Sequence, residues 1–394
     1  MAADWLIQQS DERIDEYLGL IAQHYELAGD AMQAVEFLER AAEQSMRLSA
    51  YREALSASEH ALAILASSED TNPAMRARLL LTIGMAHLWL TDHATATARF
   101  EECIALAHTI RDRGLESKAL ARLGRIGLEQ GKFGQAEENL QNSLSIAQEL
   151  NDIDVIAYTL AQLGYISHYQ GRYADAQRYG EESYEFAKQA GDAIAQAFSL
   201  NMLAMISVNN HQFEQAHDYH LQAIEICKNA GDRHGFARTY NNLSELIRVQ
   251  RKYAEAKPYT LEGIKLAREL GNRYALPIML INLSFSQVGL KEISDAYVSL
   301  RAALQLNIEN DSVSWVLFSL AGYANILVAE GKRESALEIL GLCINHPETN
   351  SDTHRDIQLV LEDLKKVRSD DIEAGLERGK LLDINKTVLM ALGG

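Results

Sequence analysis

A period of 40 residues constrains this chain more than any other feature. A large apolar residue followed by a small one recurs at Ile83-Gly84, Leu123-Gly124, Leu163-Gly164, Leu203-Ala204, Leu243-Ser244, Leu283-Ser284 and Tyr323-Ala324. Three residues upstream of each stands Leu80, Leu120, Leu160, Leu200, Tyr240, Leu280 or Leu320. A second marker follows 13 residues after the first and is alanine every time, from Ala96 through Ala136, Ala176, Ala216, Ala256 and Ala296 to Ala336. The register holds without slippage from about residue 75 to about residue 344. A chain that copies itself at such a period stacks supersecondary units and does not divide into unrelated globular domains.

Each unit reads as two helices and a tight turn. Stretches such as QGKFGQA, QGRYADA, NHQFEQA and QRKYAEA place Gly or a polar pair where one helix stops and another opens. Small residues at facing positions let antiparallel helices approach, and the large residues three and four positions away fill the groove between them. The links at Asn151, Gly191, Gly231 and Gly271 end one unit and begin the next. Residues 11–68 are related but irregular, with Ala34 and Ala54 in the alanine role, and read as three helices. After residue 344 the register fails in the polar stretch NHPETNSDTH, beyond which two more helical segments follow. The expected division is an irregular helical region over 1–72, seven 40-residue hairpins over 73–344 and capping helices over 345–394.

These markers resemble the tetratricopeptide repeat, in a form longer than the usual unit of about 34 residues. The family's large aromatic residue at the eleventh position of the first helix is replaced here by Gly127, Ser167, Ser207, Ile247 and Gln287. The resemblance implies an all-α fold, a right-handed superhelix of hairpins with a helical cap at its end. The phrase IAQHYELAGDAMQAVEFLERAAEQSMRLSAYREAL further resembles the segment that joins the ATPase core to the helical repeats in bacterial STAND-type signalling proteins, including adenylate-cyclase-like regulators.

Composition narrows the functional classes. A formal charge of -18 opposes binding to nucleic-acid backbones and anionic membranes, which call for clustered Lys and Arg. Cys103, Cys227 and Cys343 are too few and too scattered for a disulfide framework or paired zinc knuckles. The amino terminus shows no basic segment followed by an apolar run, and no stretch approaches the roughly 18 apolar residues of a membrane span. A soluble, cytoplasmic protein is expected.

Chemistry-bearing motifs are few in this sequence. Gly375-Leu-Glu-Arg-Gly379-Lys380-Leu381 is one residue short of a phosphate loop and ends in Leu where a metal-binding hydroxyl belongs. His211, His217 and His220 lack a completing carboxylate or cysteine, and the cysteines at 103 and 343 read as small packing residues. No enzyme, metal or cofactor is expected.

In the tetratricopeptide family the groove positions lie five and two residues before the large marker, and two, five and six after it. Carried onto this chain, they give Tyr158, Ala161, Tyr165, His168 and Tyr169, then Phe198, Asn201, Met205, Val208 and Asn209, then Arg238, Asn241, Glu245, Arg248 and Val249. Upstream they give Lys118, Arg125 and Glu129, and before those Arg78 and Trp89. The groove is net positive within an acidic chain, which favours an acidic segment or a terminal carboxylate. Arg125, Arg238 and Arg248 are the expected anion anchors. Asn201 and Asn241 would clamp a peptide backbone, and Tyr165, Tyr169 and Phe198 would hold side chains. Ile278, Ile281, Phe285 and Phe318 form an apolar stretch, fit for a partner helix or a lid unless closure of the superhelix or the cap buries it. The expected function is a non-enzymatic scaffold that captures a peptide or protein segment. The alternative, which follows the second resemblance, is the sensor or autoinhibitory arm of a STAND-type signalling ATPase or cyclase whose catalytic part is absent from this chain.

Overall fold

The computed structural model describes residues 2–68, 72–367 and 371–393, and among them every regular element is helical. Before the periodic region stand α1 (Ala2–Ser10), a 3-10 turn (Asp11–Tyr17), α2 (Leu18–Leu27), α3 (Ala31–Arg47) and α4 (Tyr51–Ser67). The hairpins follow as α5 (Pro73–Trp89) with α6 (His93–Ile110), α7 (Arg113–Gln130) with α8 (Phe133–Leu150), α9 (Ile153–Tyr169) with α10 (Tyr173–Ala190), and α11 (Ala193–Asn209) with α12 (Phe213–Ala230). The last three are α13 (Arg233–Val249) with α14 (Tyr253–Glu269), α15 (Ala275–Gly289) with α16 (Ile293–Glu309), and α17 (Val313–Ala329) with α18 (Arg333–Asn345). Beyond them lie α19 (Ser351–Val367), α20 (Ile372–Gly379) and α21 (Ile384–Gly393). The fold is an all-α solenoid of helical hairpins. The expected boundary at 72 adjoins residues 69–71, which lie outside the described ones.

The 40-residue period resolves into two equal halves. Left-handed residues fall 20 apart from Thr91 through Arg111, Gly131 and Asn151 to Gly331, one at the end of each helix. Between hairpins the next residue caps the following helix: Asp112, Asp152, Asp192, Asp232 and Asn272 each accept a hydrogen bond from the backbone N–H three residues on, as Asp92 does within the first hairpin. Each junction thus satisfies orphan groups at both helix ends.

The markers explain the packing. All seven repeat alanines are fully buried. A Cβ placed on Gly84 would come within 2.6 Å of the Phe100 ring, and one on Gly164 within 2.0 Å of the Met202 sulfur. Seven residues after the alanine, Cys103, Ser143, Ser183 and Cys343 donate to the carbonyls of Ala77, Ser117, Ala157 and Leu317, which ties a second helix to the first helix of its own hairpin. Burial pushes the thiols of Cys103 and Cys343 up to about 12, which leaves them inert.

Two compact units are distinguished. The first comprises residues 1–126 and 138–155, with cores around Ile21, Val35 and Leu65 and around Leu80, Phe100 and Ile126. The second comprises residues 127–137 and 156–394. In the second, the segment around Gly131 meets the start of α17: Ser312 Oγ donates to the Gln130 carbonyl at 2.8 Å, and Trp315 Nε1 to that of Glu129 at 3.2 Å.

Gly375 and Gly379, which stand in the stretch that falls short of a phosphate loop, are helix-packing residues. They are buried on α20, and a Cβ on Gly379 would lie 2.1 Å from the Glu338 carbonyl of α18. The three histidines also part company. His220 is buried, while His211 and His217 are exposed. Among the described residues no helix is long and apolar enough to cross a membrane.

Candidate functional site

In the second unit the repeat puts equivalent side chains in rows across the first helices α9, α11, α13 and α15. Tyr158, Phe198, Arg238 and Ile278 form one row near the amino ends of these helices, and each is half-buried. Tyr165, Met205, Glu245 and Phe285 form the next, two turns along. His168, Val208, Arg248 and Val288 make a third near the carboxyl ends, with Tyr169 and Asn209 beside them.

The third row is already occupied by this chain. Asn350 caps α19, accepting from the Thr353 backbone N–H at 2.9 Å, and fixes the direction in which the helix leaves its loop. Asp352 and Asp356, one turn apart on α19, then point at the groove. Asp356 takes a fork of hydrogen bonds from Arg248, 2.8 Å at the shortest, and the exposures of the two side chains are 0% and 3%. Asp352 accepts from His168 Nε2 at 3.2 Å and from Arg355 at 3.1 Å. Burial alone would raise the Asp352 carboxyl, but Arg355 and His168 hold it down at about 2. Arg355 reaches back from α19 to Glu245 and to Asn209, whose amide donates to His168 Nδ1 at 3.5 Å. This arrangement fits the tautomer with the proton on Nε2. At the far end Arg251 pairs with Asp363 at 2.8 Å. The other face of α19, with Ile357, Val360, Leu361 and Leu364, joins the core of α17 and α18.

Several expectations are therefore corrected. Arg248 does not await an external anion, because Asp356 neutralises it. Glu245, His168 and Asn209 are likewise engaged by α19. The amides are no clamps: Asn201 is fully buried, donates to the Ala197 carbonyl at 2.9 Å and to Thr239 at 2.7 Å, and accepts from His220 Nδ1 at 3.1 Å. Burial drives the His220 imidazole down to about 3, so it is neutral. Asn241, 7% exposed, bonds to Asn242 and Asn282. The apolar stretch is not a free surface either. Ile281, Phe285 and Phe318 are buried, Phe285 lies 6.1 Å from Phe318 and under Arg248, and only Ile278 stays half-open.

What stays open lies on either side of α19. Toward the amino ends of the first helices, the Arg238 guanidinium lies over the Phe198 ring at 4.3 Å, and the Tyr165 ring is 4.7 Å from the same Phe198. Tyr165 is 5% exposed, and its hydroxyl has no hydrogen-bond partner among the described residues. Burial pushes that phenol up to about 12 against the pull of the Arg238 charge. Toward the carboxyl ends, a cleft of about 970 Å³ opens between α19 and the hairpin turns. Phe133, stacked on Tyr169 at 5.5 Å, lines it with Tyr173, while Gln135, Gln170, Asn209 and Gln358 supply amides. A cleft of this size and mixed character suits a small ligand or a short chain segment.

In the first unit the expected cations have local partners. Arg78 pairs with Glu39 at 2.6 Å, Lys118 lies 3.9 Å from Asp152, and Arg125 stacks over Trp89 at 4.3 Å. The α19 contacts escaped sequence reasoning because they join residues 108 to 184 positions apart. A signal was present: Val360 falls 40 residues after Leu320, beside an acidic pair at i, i+4.

A family model described as a tetratricopeptide repeat matches residues 154–229, and one described as SHNi-TPR matches residues 117–154. No curated protein matches the sequence. A Rap protein complexed with competence and sporulation factor is similar in structure, with a TM-score of 0.68 at 13% identity over 91% of this chain and 99% of that one. The Rap conjugation gene regulator of the plasmid pLS20, in complex with a Phr peptide, gives 0.51 at 16% identity over 81% and 79%. These likenesses are of fold alone. A STAND protein with a tetratricopeptide repeat sensor, from Pyrococcus horikoshii, reaches 0.46 at 17% identity over 86% of this chain and 54% of that one, which is too distant to carry an argument.

Proposed function

We propose that this chain, a tetratricopeptide-repeat protein, is a non-enzymatic scaffold that captures an acidic segment of a partner protein or peptide on the first-helix face of its second unit. The observation that carries this reading is α19 itself. The same repeat positions that would meet a partner hold two aspartates of the chain's own α19, Asp352 and Asp356, by charge-assisted, buried hydrogen bonds, as Asp356 on Arg248 illustrates. The surface is therefore suited to acidic segments, and the Tyr158, Phe198, Arg238 and Ile278 row extends it beyond α19. Two proteins of the same fold are seen with a Phr peptide or with competence and sporulation factor, so the fold accommodates such ligands.

The test is a quantitative pull-down from source-cell lysate. The unmodified chain is compared with an Arg238→Glu, Ile278→Glu variant and with Arg178→Glu, whose target is an exposed arginine on α10. A partner recovered by the first and third baits but lost from the second supports the reading. Equal recovery by all three would overturn it.

A further inference from the structure

We propose that the cleft between α19 and the hairpin turns is a binding site for an uncharged heteroaromatic ring of the nucleobase type. The cleft lies toward the carboxyl ends of the first helices, away from the row of Arg238, and its occupant is independent of what that row meets.

The cleft has room of about 970 Å³, ample for a nucleoside, and every residue lining it belongs to the second unit. Its own cations are already committed. Arg355 is held by Asp352 and Glu245, and Lys132 Nζ lies 3.4 Å from Asp311, so an anion finds no free Arg or Lys in the lining. Of the two acids, Glu362 lies 3.9 Å from Arg251, and Glu348 is exposed on the loop before α19, where water screens its charge. Charge therefore selects neither an anion nor a cation.

Neutral groups are what the cleft offers instead. The amides of Gln135 and Gln358, the hydroxyl of Tyr173 and the imidazole of His354 converge there, and none has a hydrogen-bond partner among the described residues. The buried amides of Asn201 and Asn241, by contrast, are spent inside the fold. Burial lowers the His354 imidazole below its ordinary range, so it is uncharged at neutral pH and, like each amide, supplies both a donor and an acceptor.

The wall is aromatic. Phe133 lies on Tyr169 at 5.5 Å with the ring planes 21° apart, and Tyr169 is wedged in turn by Trp315 and His168, each at 5.4 Å and close to perpendicular. Rings held in this way let a further flat ring join the stack at little ordering cost. A ring with carbonyl and amino groups on its edge also satisfies the free amides, as an apolar ring would not. Stacking faces and a mixed donor and acceptor edge together are the chemistry of a nucleobase.

Equilibrium dialysis of the full chain against tritiated adenosine, guanosine and uridine tests this, with the corresponding 5′-monophosphates and ribose as competitors. At least one nucleoside should be held with a dissociation constant below about 1 mM. Its monophosphate should bind no more tightly, and ribose should not compete. A Gln135→Ala, Gln358→Ala variant should weaken binding about tenfold. Gln222→Ala, at an exposed position on α12 outside the cleft lining, should change nothing, and circular dichroism checks that each variant stays helical. Retention of no nucleoside, or competition by ribose as strong as that of unlabelled nucleoside, would overturn the proposal. So would monophosphates that bind several-fold more tightly, which would make this a site for anions, or undiminished binding by the double variant, which would place the ligand elsewhere.

Discussion

His220 shows how packing fixes the state of one side chain. Its Nδ1–H donates to Asn201, whose own amide is committed to Ala197 and Thr239, and desolvation holds the imidazole neutral with a pKa of about 3. In the unfolded chain the same group titrates near 6.5. The unfolded state therefore binds a proton first as pH falls, so the contribution of His220 to stability is full above about 6.5 and is lost progressively down to about 3. Between pH 6.5 and pH 5 this amounts to about 2 kcal/mol. Urea denaturation of the unmodified chain should show that loss in excess of a His220→Gln variant, and equal pH dependence in the two would contradict the assignment. The residue was legible in the sequence only as one of three histidines. That it turns inward to an amide, while Asn201 turns away from the groove, depends on helix rotation, which a repeat register does not specify to within one side chain.

At the scale of the element, α19 is where the 40-residue period no longer sets the contacts. The hairpins were legible because each junction repeats a left-handed residue at the same 20-residue spacing, most often followed between hairpins by a capping Asp or Asn, and each hairpin needs the same small residues at its crossing. The helix after residue 350 follows different demands. One face continues the apolar core of α17 and α18, while the other sends acids across to α9 and α13. Breaking that second face is costly. Asp356→Ala leaves Arg248 buried without a counter-ion, and a loss of about 3–5 kcal/mol is expected. Replacing both partners, Arg248→Met with Asp356→Leu, should return stability to near that of the unmodified chain, because the pair's attraction is largely offset by desolvation. A double variant as unstable as the single one would show that the pair itself, and not the stranded charge, holds α19 in place.

For the whole molecule, repetition accounts for both the fold and the site. A hairpin cannot bury its own apolar face and is stable only against copies of itself, so the stacking that satisfies the core also lines up side chains from successive first helices. The fold class and the rows could be read from the sequence. Which members of the rows remain open could not, because α19 claims Arg248, Glu245 and His168 through contacts far apart along the chain. The central claim is that the row containing Arg238 and Ile278 is the surface that meets a partner. The most direct test places a photo-crosslinking amino acid at position 278 in the source cell, with a second chain carrying it at position 178 on α10. A protein adduct formed from position 278 and not from position 178 is the expected result. An adduct from position 178 alone would contradict the account and assign binding to the second helices instead.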